Sequence, residues 1–371
     1  MKHAANFEIF LVCPPGLELV LRDEARAAGF KKAKAAQGGV RFRGSWRDVW
    51  RANLTLRGAT RVLARIASFQ ANHLKILEKQ TRQIRWGDVL RPEIPVRVEA
   101  TCRKSKIYHQ GAAAERVENA ITQTIGAPID REAELTVKLR IDEDQCTLSL
   151  DTSGESLHKR GHKQAVGKAP MRETLAALFL RQCGYTGGEP VLDPMCGSGT
   201  FVIEAAEMAA GLAPGRSRHF AFEELANFDG DFWATLRDAV QPQTPQWRFH
   251  GSDRNAGAIE NAEKNSRLAG VSAFTTFTHA AISDLARPDG PPGLVIANPP
   301  YGGRIGDKKQ LYALYGTFGR VLKERFGGWR VGIITNEGGL ARATALPFEE
   351  PGPGIDHGGI RVRLYRTAPL P

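Results

Sequence analysis

Asn298-Pro299-Pro300-Tyr301 carries the clearest chemistry in this chain. The apolar run before it, Leu294–Ala297, predicts a buried strand of a parallel sheet. Neither proline can donate to a ladder, so the strand must stop there and turn in a fixed shape. In open α/β sheets, ligands bind at the carboxyl ends of strands. A planar NH2 group suits this set: Asn298 Oδ1 and the Pro299 carbonyl can each accept one N–H, while Tyr301 stacks on the ring that carries the amine. A proline-rich surface turn is the plainer alternative for a lone Pro-Pro pair.

A second constellation shifts the balance towards function. Val191-Leu192-Asp193 predicts a short strand running into the turn Pro194-Met195-Cys196-Gly197-Ser198-Gly199-Thr200, with an amphipathic helix over 201–210. Glycines 197 and 199 let backbone approach a ligand, and the helix start offers unpaired N–H groups. The stretch lacks the third glycine of a dinucleotide fingerprint and the Lys-Ser/Thr pair of a phosphate loop. A nucleoside with an amino-acid end and no pyrophosphate fits better, although a plain strand-to-helix turn has the same pattern. A further strand, 247–253, ends in Asp253, the acidic residue a ribose diol calls for, and a helix follows over 255–269.

These residues, in this order, resemble the class I S-adenosylmethionine-dependent methyltransferases with an Asn-Pro-Pro-Tyr motif that methylate exocyclic amines. The resemblance implies a Rossmann-like α/β domain over 156–371 with a mostly parallel seven-stranded sheet. It places Asp193, Pro194, Met195, Cys196, Gly197, Ser198, Gly199 and Thr200 around the methionine part of S-adenosylmethionine. Asp253 and Arg254 would face its ribose, and Asn298 to Tyr301 would hold the target base. The reaction is direct displacement at the sulfonium methyl, in which positioning does most of the work. Cys196 could instead be a nucleophile, as in pyrimidine-carbon methylation, or simply a small apolar residue of the turn. One departure stands out: the acidic residue that usually binds the adenine amine falls at Ala281. Either Asp284 takes that role or backbone contacts do.

Charge bears on the substrate. The chain has 371 residues and a net charge of +11, and residues 1–170 hold 30 Lys and Arg against 19 Asp and Glu. Residues 171–371 are balanced, at 21 against 21. Arg57, Arg61 and Arg65 recur every fourth position, one face of a helix if that segment is helical, and a helix is predicted over 45–63. A solvated helix face is the ordinary reading of such a stripe. A neutral catalytic part joined to a strongly basic part reads as a nucleic-acid-binding module feeding an enzyme.

The basic part mixes predicted strands (7–13, 39–42, 96–100) with helices (16–28, 112–125) and a hairpin, 134–141 and 145–150, across Asp142-Glu143-Asp144. With Gly38-Gly39-Val40-Arg41-Phe42 and Leu148-Ser149-Leu150-Asp151-Thr152-Ser153-Gly154, it resembles a ferredoxin-like part (1–45) followed by a THUMP module (46–155). THUMP modules precede RNA-modifying enzymes and hold RNA by shape and backbone charge.

Over nearly the whole chain the resemblance is closest to bacterial 23S ribosomal RNA guanine-N2 methyltransferases. In some bacteria that half is fused to a second methyltransferase; with the sequence ending at Pro371, the second activity is expected to be absent. The rival readings are guanine-N2 methylation of tRNA, adenine-N6 or cytosine-N4 methylation of DNA, and a non-catalytic RNA-binding assembly factor.

The remaining signals are bland. Five scattered cysteines without C-x-x-C spacing point to a reducing cytoplasm rather than a disulfide framework or zinc site. His158 and His162 lack a third ligand nearby, so no metal is expected. No apolar run long enough for a membrane span occurs, and a monomer is expected. Residues 211–246, rich in Pro, Arg and aromatics, predict a small helical insertion packing on the sheet. Residues 169–177 predict a Pro-led helix start, 309–326 a helix, 328–335 a strand and 360–365 an antiparallel edge strand. Residues 347–359 predict a loop, either near the base pocket or of ordinary surface type.

Overall fold

The computed structural model describes residues 6–161, 171–302 and 308–371. His162, Ala169 and Pro170, named above, lie outside them. The described residues of Met1–Cys13, Leu21–Leu157 and Gly215–Ala239 form one compact unit. Those of Pro14–Val20, His158–Pro214 and Val240–Pro371 form the other.

In chain order the elements begin β1 (Phe7–Val12), α1 (Glu18–Ala27), β2 (Lys34–Ala36), β3 (Gly39–Gly44), α2 (Trp46–Thr55) and β4 (Arg61–Gln70). This β-α-β-β-α-β pattern is ferredoxin-like, and it closes only with β4, beyond residue 45. Next come α3 (Leu74–Arg82), β5 (Arg97–Arg103), α4 (Gln110–Ile125), β6 (Thr136–Asp142) and β7 (Gln145–Asp151). One sheet joins all seven strands in the order β2-β3-β1-β4-β7-β6-β5, with β4 antiparallel to β7 at the seam and a bulge between Arg65 and Ala67. The β6–β7 hairpin turns tightly because Glu143 and Asp144 both adopt positive φ, 52° and 62°. Such a two-residue turn matches the twist of its strands.

The helix expected over 45–63 divides here into α2 and β4. Its start is capped, with the Asp48 carboxylate accepting from Ser45 N at 2.9 Å. It stops at Leu56, whose backbone is extended. Buried Glu24 of α1 then accepts from the Arg57 and Gly58 amides, at 2.7 and 2.9 Å, and fixes the turn. The basic stripe is therefore not a helix face. Arg57 is buried in the turn, Arg61 donates to the Asp151 carboxylate at 2.6 Å, and Arg65 pairs with Glu8. Burial raises the Asp151 carboxyl, and the Arg61 cation opposes that shift. Folding of this sheet takes up these three arginines.

Gly215–Ala239 packs with the first unit rather than on the sheet of the second. It carries α7 (Gly230–Asp238), and its Phe222, Phe228 and Phe232 surround Trp50 of α2 at ring-centroid distances of 6.1, 5.8 and 5.8 Å. Phe222 N also donates to Thr152 O at 3.1 Å, tying the segment to the end of β7.

The second unit holds α5 (Glu173–Gln182), β8 (Val191–Asp193), α6 (Thr200–Ala209), β9 (Phe249–Asp253), α8 (Ala256–Leu268), β10 (Thr275–His279), β11 (Leu294–Ala297), α9 (Lys308–Arg325), β12 (Arg330–Thr335), α10 (Gly338–Ala343), β13 (Ile355–His357) and β14 (Ile360–Arg366). Its sheet runs β10-β9-β8-β11-β12-β14-β13; the first five strands are parallel and β14 is antiparallel. The expected mostly parallel seven-stranded sheet is present. Two details differ: β14 is not the edge, and β13, inside the stretch read as a loop, flanks it. No helix among the described residues is long and apolar enough to cross a membrane.

Replacing Trp50, 1 % exposed at the centre of the aromatic cluster, should show what the returning segment contributes. Trp50→Ala is expected to destabilise the first unit by about 3–5 kcal/mol and to open residues 215–239 to limited proteolysis. An unchanged urea midpoint with unchanged cleavage would contradict that packing.

Candidate active site

The order of the second sheet reverses between β8 and β11, which lie side by side in parallel. A crevice for ligands opens at the carboxyl ends of strands at such a switch point. Asp193 ends β8, Asp253 ends the next strand, β9, and Asn298 follows β11. Three sequence-distant motifs are thus brought to one edge of one sheet.

The glycine turn is held from both sides. Gly197 N donates to Asp253 Oδ2 at 3.0 Å, Cys196 N to Ser252 O at 2.9 Å, and buried Asn265 Nδ2 to Ser198 O at 3.1 Å. Gly199 caps α6 at φ +83°, and an added Cβ there would crowd Ala262 and Phe277 at 3.0–3.1 Å. Gly197, at φ +52°, has nothing within 4 Å of such a Cβ. Gly199 therefore serves folding, whereas Gly197 leaves open space for a ligand. Pro194, Ser198 and Thr200 are buried in the turn and Met195 is partly buried.

Asp193 is 2 % exposed, and its Oδ1 accepts from Met195 N at 3.0 Å. Burial, helped by the Asp253 carboxylate, pushes its carboxyl up to about 8. Asp253 is half-buried; Oδ1 takes the Asn255 amide at 2.9 Å while Oδ2 takes that of Gly197. Both carboxylate oxygens keep lone pairs for a diol. Burial drives the Cys196 thiol far upward, which favours the small apolar turn residue over the nucleophile. Arg254 is exposed, its carbonyl meeting the His279 ring at 3.0 Å. Asp284 is exposed too, in a short 3-10 turn after β10, with Ser283 Oγ donating to it at 3.2 Å.

At the end of β11, Asn298 Oδ1 is buried with no hydrogen-bond partner among the described residues. A buried orphan acceptor is costly unless a ligand completes it. Pro299 is buried and Pro300 half-buried. Tyr301 departs from expectation: it is 0 % exposed, so its ring is not an open stacking face in this conformation. Tyr315 of α9 was not singled out in the sequence. Its hydroxyl donates to the Pro300 carbonyl at 3.4 Å, bracing the turn from behind. Nothing in the sequence separates Tyr315 from other apolar-face residues of that helix. The open space over Gly197, the two carboxylates and the orphan acceptor suit S-adenosylmethionine beside a planar amine.

Fold and site together define a class I S-adenosylmethionine-dependent methyltransferase. Residues 160–347, half of the chain, match the model of the RMKL-like methyltransferase domain, and residues 8–63 match that of the RlmL ferredoxin-like domain. The chain belongs to the RMKL-like methyltransferase-domain family.

It is 36% identical, over 91% of its length, to Ribosomal RNA large subunit methyltransferase K/L of Syntrophotalea carbinolica. The chain covers 50% of that protein and spans about half the length of the curated relatives it matches. Among solved structures, SMU.472, described as a methyltransferase and complexed with SAH, superposes with a TM-score of 0.87 at 26% identity, covering 99% of each chain. A methylase of Listeria monocytogenes, whose name specifies N6-adenine in DNA, superposes at 0.89 with 28% identity over 99% of this chain and 97% of its own.

Two predictions follow from this geometry. Gly197→Ala is expected to keep the unfolding midpoint within about 1–2 kcal/mol of native while weakening S-adenosylhomocysteine binding at least tenfold. Gly199→Ala should lose stability instead; calorimetry and urea unfolding separate the two. For pH, a carboxyl raised by burial is protonated in the folded chain below about 8, so its ionisation opposes folding as pH climbs from the ordinary carboxylate range. A cationic ligand favours the ionised form. Cofactor affinity should therefore rise with pH up to about 8 and then level, with a proton released on binding. Asp193→Asn should flatten that profile, and an unchanged profile would contradict the assignment.

Proposed function

We propose that this chain transfers a methyl group from S-adenosylmethionine to the exocyclic N2 amine of a guanine in large-subunit ribosomal RNA. The observation that carries the reading is the orphaned Asn298 Oδ1 at the switch point, beside the glycine turn. RNA as the substrate is supported by the name of the K/L relative and by the excess of basic residues in the first 170 positions.

The cofactor supplies an electrophilic methyl group whose sulfonium leaves as a neutral thioether. The chain's residues supply position. Asn298 Oδ1 accepts one N–H of the guanine amine and the Pro299 carbonyl accepts the other. Together they draw the nitrogen lone pair out of conjugation and aim it along the line of displacement. Both acceptors are held by a rigid proline pair at the end of a buried strand, with Tyr315 behind the Pro300 carbonyl. As the N–C bond forms, the nitrogen becomes acidic and its surplus proton passes to solvent, so no strong base is needed. Asp193 and the turn 194–200 would hold the methionine end, and Asp253, with Arg254 beside it, the ribose. Asp284, or the backbone around it, would take the adenine amine. The second half of the first unit would act as the THUMP-like module that holds RNA.

Asn298→Ala is expected to lower methyl transfer by about 100-fold or more while leaving S-adenosylhomocysteine affinity within a few-fold. The check is transfer of labelled methyl to ribosomal RNA from cells lacking the gene, with calorimetry alongside. A large loss of cofactor binding in that variant would contradict the assigned role.

A further inference from the structure

The first unit carries a half-open cavity of about 700 Å³, within the range of sites that hold small organic groups. Its lining residues all belong to that unit. They come from five places, four of which are Phe7 of β1, Trp46 at the start of α2, Arg65 and Ile66 at the β4 bulge, and Arg85 beside the 3-10 turn Trp86–Asp88. The returning segment completes the wall with Asn227 and Phe228.

The lining is chemically mixed in a specific way. Phe7 and Trp46 face each other at 4.9 Å between ring centroids, tilted by 51°. Arg65 is committed, paired with Glu8 and lying over the Phe10 ring at 4.6 Å. Arg85 is 86% exposed and meets only exposed Asp88, at 3.1 Å, among the ion pairs of the described residues. An exposed pair of that kind is worth little, so a phosphate can take the guanidinium from it. Asn227 Oδ1 is buried with no hydrogen-bond partner among the described residues. Aromatic walls, one releasable guanidinium and one orphan amide acceptor are what a nucleobase with its phosphate requires.

We propose that this cavity takes one unstacked nucleotide of single-stranded RNA, with its base among Phe7, Trp46 and Phe228 and its phosphate on Arg85. A recess of this kind admits a base only from a strand whose stacking is already broken, which excludes duplex. The Asn227 amide faces the polar edge of the base, and the bulge at Arg65/Ala67 shapes the wall beside it. The proposal rests on the RNA-substrate reading above. It also gives the aromatic segment 215–239 a function besides packing, because that segment brings Asn227 and Phe228 to the recess.

The test uses the full chain and a labelled single-stranded RNA of about 12 nucleotides, followed by fluorescence anisotropy. Arg85→Glu and Asn227→Asp are each expected to weaken binding about tenfold, with thermal unfolding and S-adenosylhomocysteine affinity unchanged. Native-like binding by both variants, or no binding by the native chain, would overturn the proposal. So would free GMP displacing the oligonucleotide at the oligonucleotide's own affinity, since the cavity would then hold a free nucleotide. Binding weakened in both variants but no methyl transfer to any RNA would support the cavity and contradict the proposed substrate.

Discussion

The hydrogen bond from Gly197 N to Asp253 Oδ2 joins the turn after one parallel strand to the end of the next. Without it the glycine turn would be an ordinary strand-to-helix connection. With it, two carboxylates and an open stretch of backbone share one sheet edge, and Asn298 stands across the switch point. The cost of this arrangement is visible at Asp193, whose burial opposes ionisation, and at Asn298, whose Oδ1 lacks a partner among the described residues. Both are unfavourable groups that a cationic cofactor and an amine would relieve. Sites of function commonly hold such locally unfavourable groups.

The sequence made much of this unit legible, because its signals are local. Apolar runs ending in Asp193, Asp253 and Asn298 mark strand ends, and the resemblance those residues carry implied the mostly parallel sheet. What it could not show is set by long-range packing. Tyr301 reads as an exposed platform but is fully buried, because nothing in four residues tells whether a ring turns outward or inward. Tyr315 lies one helix away from the motif it braces. β13 is three residues long, and pairing with β14, rather than any propensity of its own, makes it a strand.

The first unit shows the opposite balance. Its charge was legible and its meaning was not. Arg57, Arg61 and Arg65 suggested a helical stripe, yet Glu24 ends that helix at Leu56 and the arginines join a sheet where Asp151 and Glu8 meet two of them. A period of four arose by chance across a turn and a strand. Likewise the aromatics of 215–239 pack partly on one another, but what holds the segment in the first unit is Trp50, about 180 positions earlier in the chain. Basic residues that remain exposed, such as Arg85, are better candidates for RNA contact than the stripe.

The central claim is that the acceptors at the end of β11 hold the N2 amine of guanine in RNA. Its most direct test is nucleoside mass analysis after incubating the native chain with labelled S-adenosylmethionine, ribosomal RNA lacking the modification, and DNA in parallel. The account predicts label in N2-methylguanine from RNA alone. Label in N6-methyladenine, or in DNA only, would contradict it.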